Sequence, residues 1–102
     1  MTTKHESTTL LKAELNKATP PKLYKVMLLN DDYSTMVFVV EVLQTFFAMG
    51  REQAMQVMLK VHSEGSAVCG VYPKDTAETK VAQVTAFAIE NGHPLRCILE
   101  EN

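Results

Sequence analysis

The chain has 102 residues, of which 46% are hydrophobic and 22% charged, a composition that fits one compact domain. A formal charge of -2 at pH 7 leaves no broad positive surface for a nucleic acid. No apolar run resembles a signal peptide or is long enough to span a membrane, and the two cysteines lack zinc-ligand spacing. We therefore expect a cytoplasmic protein.

The N-terminal segment differs in composition from the rest of the chain. It is rich in Thr and Lys and ends at Pro20-Pro21. Its only periodic piece, "LLKAELNKA", is short enough to be marginal as an isolated helix. We expect residues 1–21 to form a flexible arm and residues 22–102 to form the folded domain.

A strand and a helix are predicted next. The stretch from Leu23 to Leu29 is rich in Val, Leu and Tyr, which is typical of a strand. Ser34 or Thr35 can cap a helix, because both side chains carry the hydroxyl that N-caps use. Apolar residues then recur at helical spacing, and they predict a buried face made of Met36, Val39, Val40, Leu43, Phe46 and Phe47.

Gly50 separates this helix from a second one, predicted from Arg51 to about Ser63 and ended by Gly65. The predicted face of the second helix consists of Ala54, Met58, Val61 and His62. The alternation in "SAVCGVY", residues 66–72, predicts a second strand.

A third helix is predicted after this strand. Asp75 followed by Glu78 resembles a capping box at its start, and Gly92 and Pro94 are typical of a helix end. Its predicted buried stripe consists of Ala77, Val81, Val84 and Ala88. Alternation from Leu95 onward predicts a last strand. The order β-α-α-β-α-β predicts a two-layer α/β sandwich, most simply one sheet with helices on one face.

The sequence offers candidate residues for catalysis and for metal binding, but each set lacks a required feature. Cys69 with His62 as base would make a nucleophile, but Cys69 and Cys97 share the parity of inward strand residues, as buried thiols do. A triad of Ser34, His62 and Asp31 or Asp32 lacks the glycines of a nucleophile elbow. A metal site built from the same turn and His62 lacks a second His or a ligand-spaced carboxylate.

The turn in "LLNDDYSTMVFVV", residues 28–40, instead suggests a binding site. Asn30, Asp31 and a neutral His62 offer three hydrogen-bond acceptors. Packing of the first strand and second helix in one small domain can bring them together beside Met36, Val39, Met58 and Val61. Acceptors around an apolar hollow suit a free protein N-terminus with a large apolar first residue, because its ammonium carries three donors and a positive charge.

Four separated motifs carry a family resemblance: "YKVMLLNDDYSTMVFVVEVLQTFF", "VMLKVHSEGSAVCGV", "AETKVAQV" and "HPLRCILE". Over residues 20–102 the chain resembles ClpS, the bacterial adaptor that hands N-degron proteins to the ClpA unfoldase of the ClpAP protease. The resemblance implies a ribosomal-stalk-like sandwich with a three-stranded antiparallel sheet. It also implies a non-enzymatic, monomeric protein that needs no cofactor or metal and binds neither nucleic acid nor membrane.

The resemblance further implies residue roles. The substrate's α-amino group and first peptide unit would be held by Asn30, Asp31 and His62, with Asp32 in the same motif. The side-chain pocket for Leu, Phe, Tyr or Trp would be lined by Leu28, Ser34, Met36, Val39, Met58, Val61 and Leu95. Unfoldase docking would involve Asp75, Glu78, Thr79 and Lys80. Where relatives often read Thr-Pro before the gatekeeper Met36, this chain reads Ser34-Thr35, so the pocket loses a methyl group.

Two other functions were kept as alternatives. The first is a ribosomal-stalk-like interaction module, which would need no polar cluster beside an apolar hollow. The second is a small hydrolase that uses Cys69 or a serine, for which a reactive, accessible nucleophile would be required.

Overall fold

Within the part of the chain that the structure describes, three strands and three helices follow one another in the predicted order. The computed structural model describes residues 20–102, and the predicted arm lies outside them up to residue 19. The elements are β1 (Leu23–Leu29), α1 (Met36–Phe46), α2 (Arg51–Glu64), β2 (Ser66–Pro73), α3 (Lys74–Glu90) and β3 (Arg96–Glu101).

The three strands form one antiparallel sheet in the order β2-β1-β3, which places the apolar β1 in the centre. Leu28 of β1 lies opposite Ala67 of β2 and Cys97 of β3, and all three are buried. Met27, which directly precedes Leu28 in β1, points to the other face of the sheet and is only half-buried. One face of the sheet therefore carries the core.

The helices form the second layer and share one core with the inward face of the sheet. Helix α3 packs against all three strands, α2 packs against β2, and α1 packs on α2 and α3. Aromatic rings join α1 to the rest: Phe38 stacks on Phe87 of α3 with ring centres 5.4 Å apart, and on His93 at 3.9 Å. The two-layer sandwich predicted from the sequence is confirmed.

Capping interactions define the start of α1 and the end of α2. The Thr35 hydroxyl accepts a hydrogen bond from the Phe38 amide at 3.1 Å, so Thr35 is the N-cap of α1. Gly65 ends α2 with a positive φ of 91°, and its amide donates to the Val61 carbonyl oxygen. This left-handed conformation favours glycine, because a Cβ would be strained there.

The buried face of α1 differs from the prediction. Phe38, Val39, Val42 and Leu43 are buried, whereas Met36 is 47% exposed. Residues 36–40 are all apolar, so their periodicity does not fix the phase of the helix. Packing of Phe38 against α3 decides the phase and leaves the start of α1 apolar and exposed.

The predicted capping box at the start of α3 is wrong. Pro73 is the N-cap residue, and no side chain caps this helix end. Strand β2 runs directly into α3, so Asp75 already lies inside the first helical turn. Its carboxylate there still favours the helix through the dipole, and its backbone carbonyl accepts a bond from the Thr79 hydroxyl at 3.0 Å.

Both cysteines are buried and free, as predicted. Burial raises the pKa of the Cys69 thiol to about 12, against a small lowering by a backbone hydrogen bond involving Leu28. Burial likewise raises the pKa of Cys97 to about 12. Neither thiol has the thiolate character that a nucleophile requires. Among residues 20–102, no helix is long and apolar enough to cross a membrane.

Candidate functional site: a pocket where β1 and α2 end

A backbone hydrogen bond joins the end of β1 to the end of α2. The Asn30 amide donates to the Gly65 carbonyl oxygen at 2.9 Å. Because His62 lies about one helical turn before Gly65, this bond holds the turn after β1 beside the last turn of α2. Asn30 and His62, which are 32 positions apart in the sequence, therefore lie at one site.

The turn itself is organised by the carboxylate of Asp31. Its Oδ2 atom accepts hydrogen bonds from the Tyr33 amide at 2.9 Å and from the Ser34 amide at 2.7 Å. Partial burial raises the pKa of Asp31, but the bonds from Ser34 and Tyr33 and the nearby His93 outweigh it, so the net pKa lies below its ordinary value. The carboxylate is therefore ionised at neutral pH and can accept further hydrogen bonds from a ligand.

A cavity of about 380 Å³ opens between this turn and the two helices. We call it the turn pocket. Its walls are the apolar side chains of Met36, Val39, Met58 and Val61. The other residues that line it belong to the turn and to the end of α2: Asn30, Asp31, Asp32, Tyr33, Ser34, Thr35 and His62. Acceptors and apolar walls thus face the same space.

The structure brings most of the predicted ligand residues to this cavity. His62 was expected on the apolar face of α2, but it is exposed to solvent while lining the pocket, which leaves its ring accessible to a ligand. Asp32 is also exposed, whereas Ser34 is half-buried. Tyr33 and Thr35 were missed by the sequence analysis, although their position between predicted residues was a signal.

Two predicted pocket residues lie elsewhere. Leu28 is fully buried, with no exposed surface, and Leu95 is buried as well. Neither lines the turn pocket. Both belong to the core that the sheet shares with the helices, so the structure does not place Leu28 and Leu95 on the surface of the turn pocket.

The Ser34 hydroxyl is a buried polar group at the edge of the turn pocket. Within the described residues it forms no hydrogen bond of standard geometry, but it lies close enough to the Asp31 carboxylate to help lower the pKa of that group. Its oxygen can accept a hydrogen bond from a group that enters the pocket.

The residues predicted to dock an unfoldase lie on the first turns of α3. Asp75, Glu78 and Thr79 are exposed. Lys80 is half-buried, and its ammonium donates to the carbonyl oxygen of Phe46 at 2.7 Å, at the end of α1. The Lys80 ammonium also lies 5.9 Å from the centre of the Tyr72 ring. Lys80 therefore has a structural role inside the domain.

The turn pocket has the chemistry of a binding site. Within residues 20–102, no three His, Cys, Asp or Glu side chains come close enough to hold a metal ion. The two thiols lie in the core and not among the residues that line the pocket. An ionised carboxylate beside apolar walls can hold a cationic group and its apolar substituent together. Fold and site together define a small α/β domain with a candidate ligand-binding pocket.

Comparison with known proteins identifies the family. Residues 19–98 match the family model described as ATP-dependent Clp protease adaptor protein ClpS. Two ATP-dependent Clp protease adapter proteins ClpS, from Nitrosospira multiformis and Aromatoleum aromaticum, are each 57% identical over 102 residues, which is all of this chain and all of each relative. The chain belongs to the ClpS family, whose members are adaptors of the Clp protease and not enzymes.

A solved relative shares the fold. The structure of Agrobacterium tumefaciens ClpS2 bound to L-phenylalaninamide is similar to this one with a TM-score of 0.79 and 46% sequence identity. The similarity covers 81% of this chain and all of the ClpS2 chain. The order β-α-α-β-α-β and the antiparallel sheet are thus those of a ClpS protein.

Proposed function

We propose that the turn pocket binds the N-terminal residue of a substrate protein when that residue is Leu, Phe, Tyr or Trp. The observation that carries the proposal is that acceptors and apolar walls line one cavity of about 380 Å³. Asn30, Asp31 and His62 would accept hydrogen bonds from the α-ammonium and the first peptide unit, with Asp32 beside them. The first side chain would lie against Met36, Val39, Met58 and Val61.

The energetics support recognition of a single terminal residue. Burying one Leu or Phe side chain contributes roughly 1.5–3 kcal/mol. Hydrogen bonds to charged groups contribute about 1.5–3 kcal/mol each. L-Phenylalaninamide, the ligand of the ClpS2 relative, has the same two features, an amine and a large apolar side chain.

The partner in this proposal is a ClpA-type unfoldase, which would receive the substrate for degradation by ClpP. Exposed Asp75, Glu78 and Thr79 at the start of α3 present a polar surface for this docking. Lys80 is the fourth residue of the predicted set, and its bond to Phe46 links the first turns of α3 to the end of α1. The adaptor would act as a cytoplasmic monomer, with residues 22–102 as the binding domain and residues 1–21 as an arm.

Fluorescence anisotropy with matched peptides tests the proposal. Peptides that begin with Phe or Leu should bind with saturation, whereas the same peptides with Ser as first residue or with an acetylated amine should not. Equal binding of the free and acetylated peptides would contradict the assignment of the acceptors. Absence of any saturation would favour an interaction module without a ligand pocket.

A further inference from the structure

A second cavity adjoins the turn pocket. It has a volume of about 480 Å³ and lies between the outer faces of α1 and α2. We call it the helix groove. Met36 and Met58 line both cavities, so a pair of methionine side chains forms the wall between them. The helix groove is thus continuous with the proposed binding site, and no residue of the acceptor cluster belongs to it.

The floor of the helix groove is apolar and exposed. Val37, Val40 and Met55 line it in addition to the shared methionines. Val37 is 80% exposed and Met55 is 40% exposed. Solvent exposure of such side chains is unfavourable and is relieved when an apolar group covers them. Because Met55 and the methionines of the wall can adopt many shapes, the groove can adapt to different apolar groups.

The charged residues at the rim of the helix groove favour neither a cationic nor an anionic ligand. Glu41 and Arg51 line it with one negative and one positive side chain, and Gln44 adds a neutral polar group. A cationic or anionic ligand would therefore gain attraction from one side chain and repulsion from another. The chemistry of the groove selects an apolar side chain.

We propose that the helix groove binds the side chain of the third residue of the substrate polypeptide, when that residue is apolar. This inference rests on the proposed function of the turn pocket. In an extended chain, successive side chains point to opposite sides, so the first and third share one side. They are separated by about 6.6 Å at 3.3 Å per residue. If the first side chain of the substrate fills the turn pocket, its third side chain would lie in the helix groove, on the other side of Met36 and Met58.

The substrate fits this surface better than the unfoldase does. The groove is formed by the exposed faces of α1 and α2, whereas the predicted docking residues lie on the first turns of α3. The groove shares its wall with the pocket that holds the start of the substrate. Selectivity would then depend on two positions of the polypeptide, with the first residue essential and the third residue modulating affinity.

Anisotropy with peptides of the form Phe-Ser-X-Ser tests this inference. With X as Leu, affinity should be about 3- to 10-fold tighter than with X as Ser, because the groove would bury part of the Leu side chain. In the variant Met55→Lys, this preference should disappear, while the affinity of the Ser peptide stays as in the wild type. The matched control is Leu59→Lys, because Leu59 is a 51% exposed side chain on the same helix that lines neither cavity. This control should keep the preference.

Several results would overturn the inference. The first is equal affinity of the wild-type protein for the Leu and Ser peptides. The second is an equal loss of affinity for both peptides in Met55→Lys. The third is a preference for Leu at the second position of the peptide instead of the third. Loss of unfoldase binding in Met55→Lys without any change in peptide affinity would assign the groove to the partner. Failure of the function proposed for the turn pocket can be distinguished from failure of this inference. In the former case, acetylation of the amine of Phe-Ser-Leu-Ser would leave the affinity of the peptide unchanged.

Discussion

The ammonium of Lys80 donates a hydrogen bond to the carbonyl oxygen of Phe46 at 2.7 Å, across 34 positions of the sequence. Phe46 is the last residue of α1, where helical carbonyl groups lack intrahelical partners and the helix dipole is negative. Lys80 thus links α3 to the end of α1. The same residue is a predicted docking residue, so its two roles must be separated by experiment.

Replacement of Lys80 by Met should lower the free energy of unfolding by about 1–3 kcal/mol. Met keeps an apolar stem but leaves the Phe46 carbonyl without its charged donor. Urea unfolding measures the effect, and Lys74→Met is the control, because Lys74 is exposed at the start of the same helix. Wild-type stability of Lys80→Met would contradict the structural role. Unfoldase binding by this variant is informative only at a temperature where it remains folded.

The element pattern was readable because local signals were strong. The strand Leu23–Leu29 was predicted with its observed bounds, and Gly65 ends α2 as expected. The failures have local causes as well. The apolar run at the start of α1 hides the helical phase, and the direct passage from Pro73 into α3 leaves no loop for a capping box. Contacts such as Lys80 with Phe46 depend on packing that no local pattern encodes.

The site was predicted less completely than the fold. The polar residues were found because two carboxylates and an amide follow an apolar strand, and His62 was added because the first strand and the second helix must pack in one small domain. Leu28 was assigned to the pocket, although it shares the parity of buried Val26 and belongs to the core. Tyr33 lines the pocket because its amide is bound by Asp31, which orients the turn in a way that residue types alone do not specify.

The variant Asp31→Asn should weaken binding of a free N-terminus by about 10- to 100-fold, because the ammonium loses a charged acceptor. The amide oxygen of Asn can still accept from the Tyr33 and Ser34 amides, so the turn should persist. Anisotropy with a Phe-starting peptide measures the loss. Asp32→Asn is the control and should lose less, since its carboxylate is exposed to solvent. Unchanged affinity in Asp31→Asn would remove this carboxylate from the site.

The variant His62→Ala should weaken binding of a free N-terminus by roughly 1–3 kcal/mol, because the site loses a ring acceptor and a donor of the ligand is left unpaired. Anisotropy with a Phe-starting peptide measures the loss. The turn itself should not change, because its hydrogen bonds from the Tyr33 and Ser34 amides go to Asp31 and not to His62.

The control variant is His93→Gln, because the ring of His93 stacks on Phe38 and does not line the turn pocket. This variant should keep the affinity of the wild-type protein. Wild-type affinity in His62→Ala would remove His62 from the site.

Both cysteines should react slowly with a thiol reagent in the folded protein. With pKa values of about 12, the thiolate fraction at pH 8 is about a thousandfold lower than for an ordinary thiol, and burial adds a steric barrier. Absorbance changes with a disulfide reagent, recorded before and after addition of guanidinium, measure the difference. Cys97→Ala assigns any remaining signal to Cys69. Rapid labelling of Cys69 in the native state would support the hydrolase alternative.

Replacement of Ser34 by Ala should change the free energy of unfolding by no more than about 1 kcal/mol, because the buried hydroxyl forms no well-aligned hydrogen bond. The amide that donates to Asp31 is kept, so the turn should not change. Ser34→Thr is the control, since it retains the hydroxyl. Its added methyl group should instead narrow the turn pocket and weaken Trp-starting peptides more than Leu-starting ones. A larger loss of stability in Ser34→Ala would show that the hydroxyl is paired in solution, and then the same oxygen would not be free for a ligand.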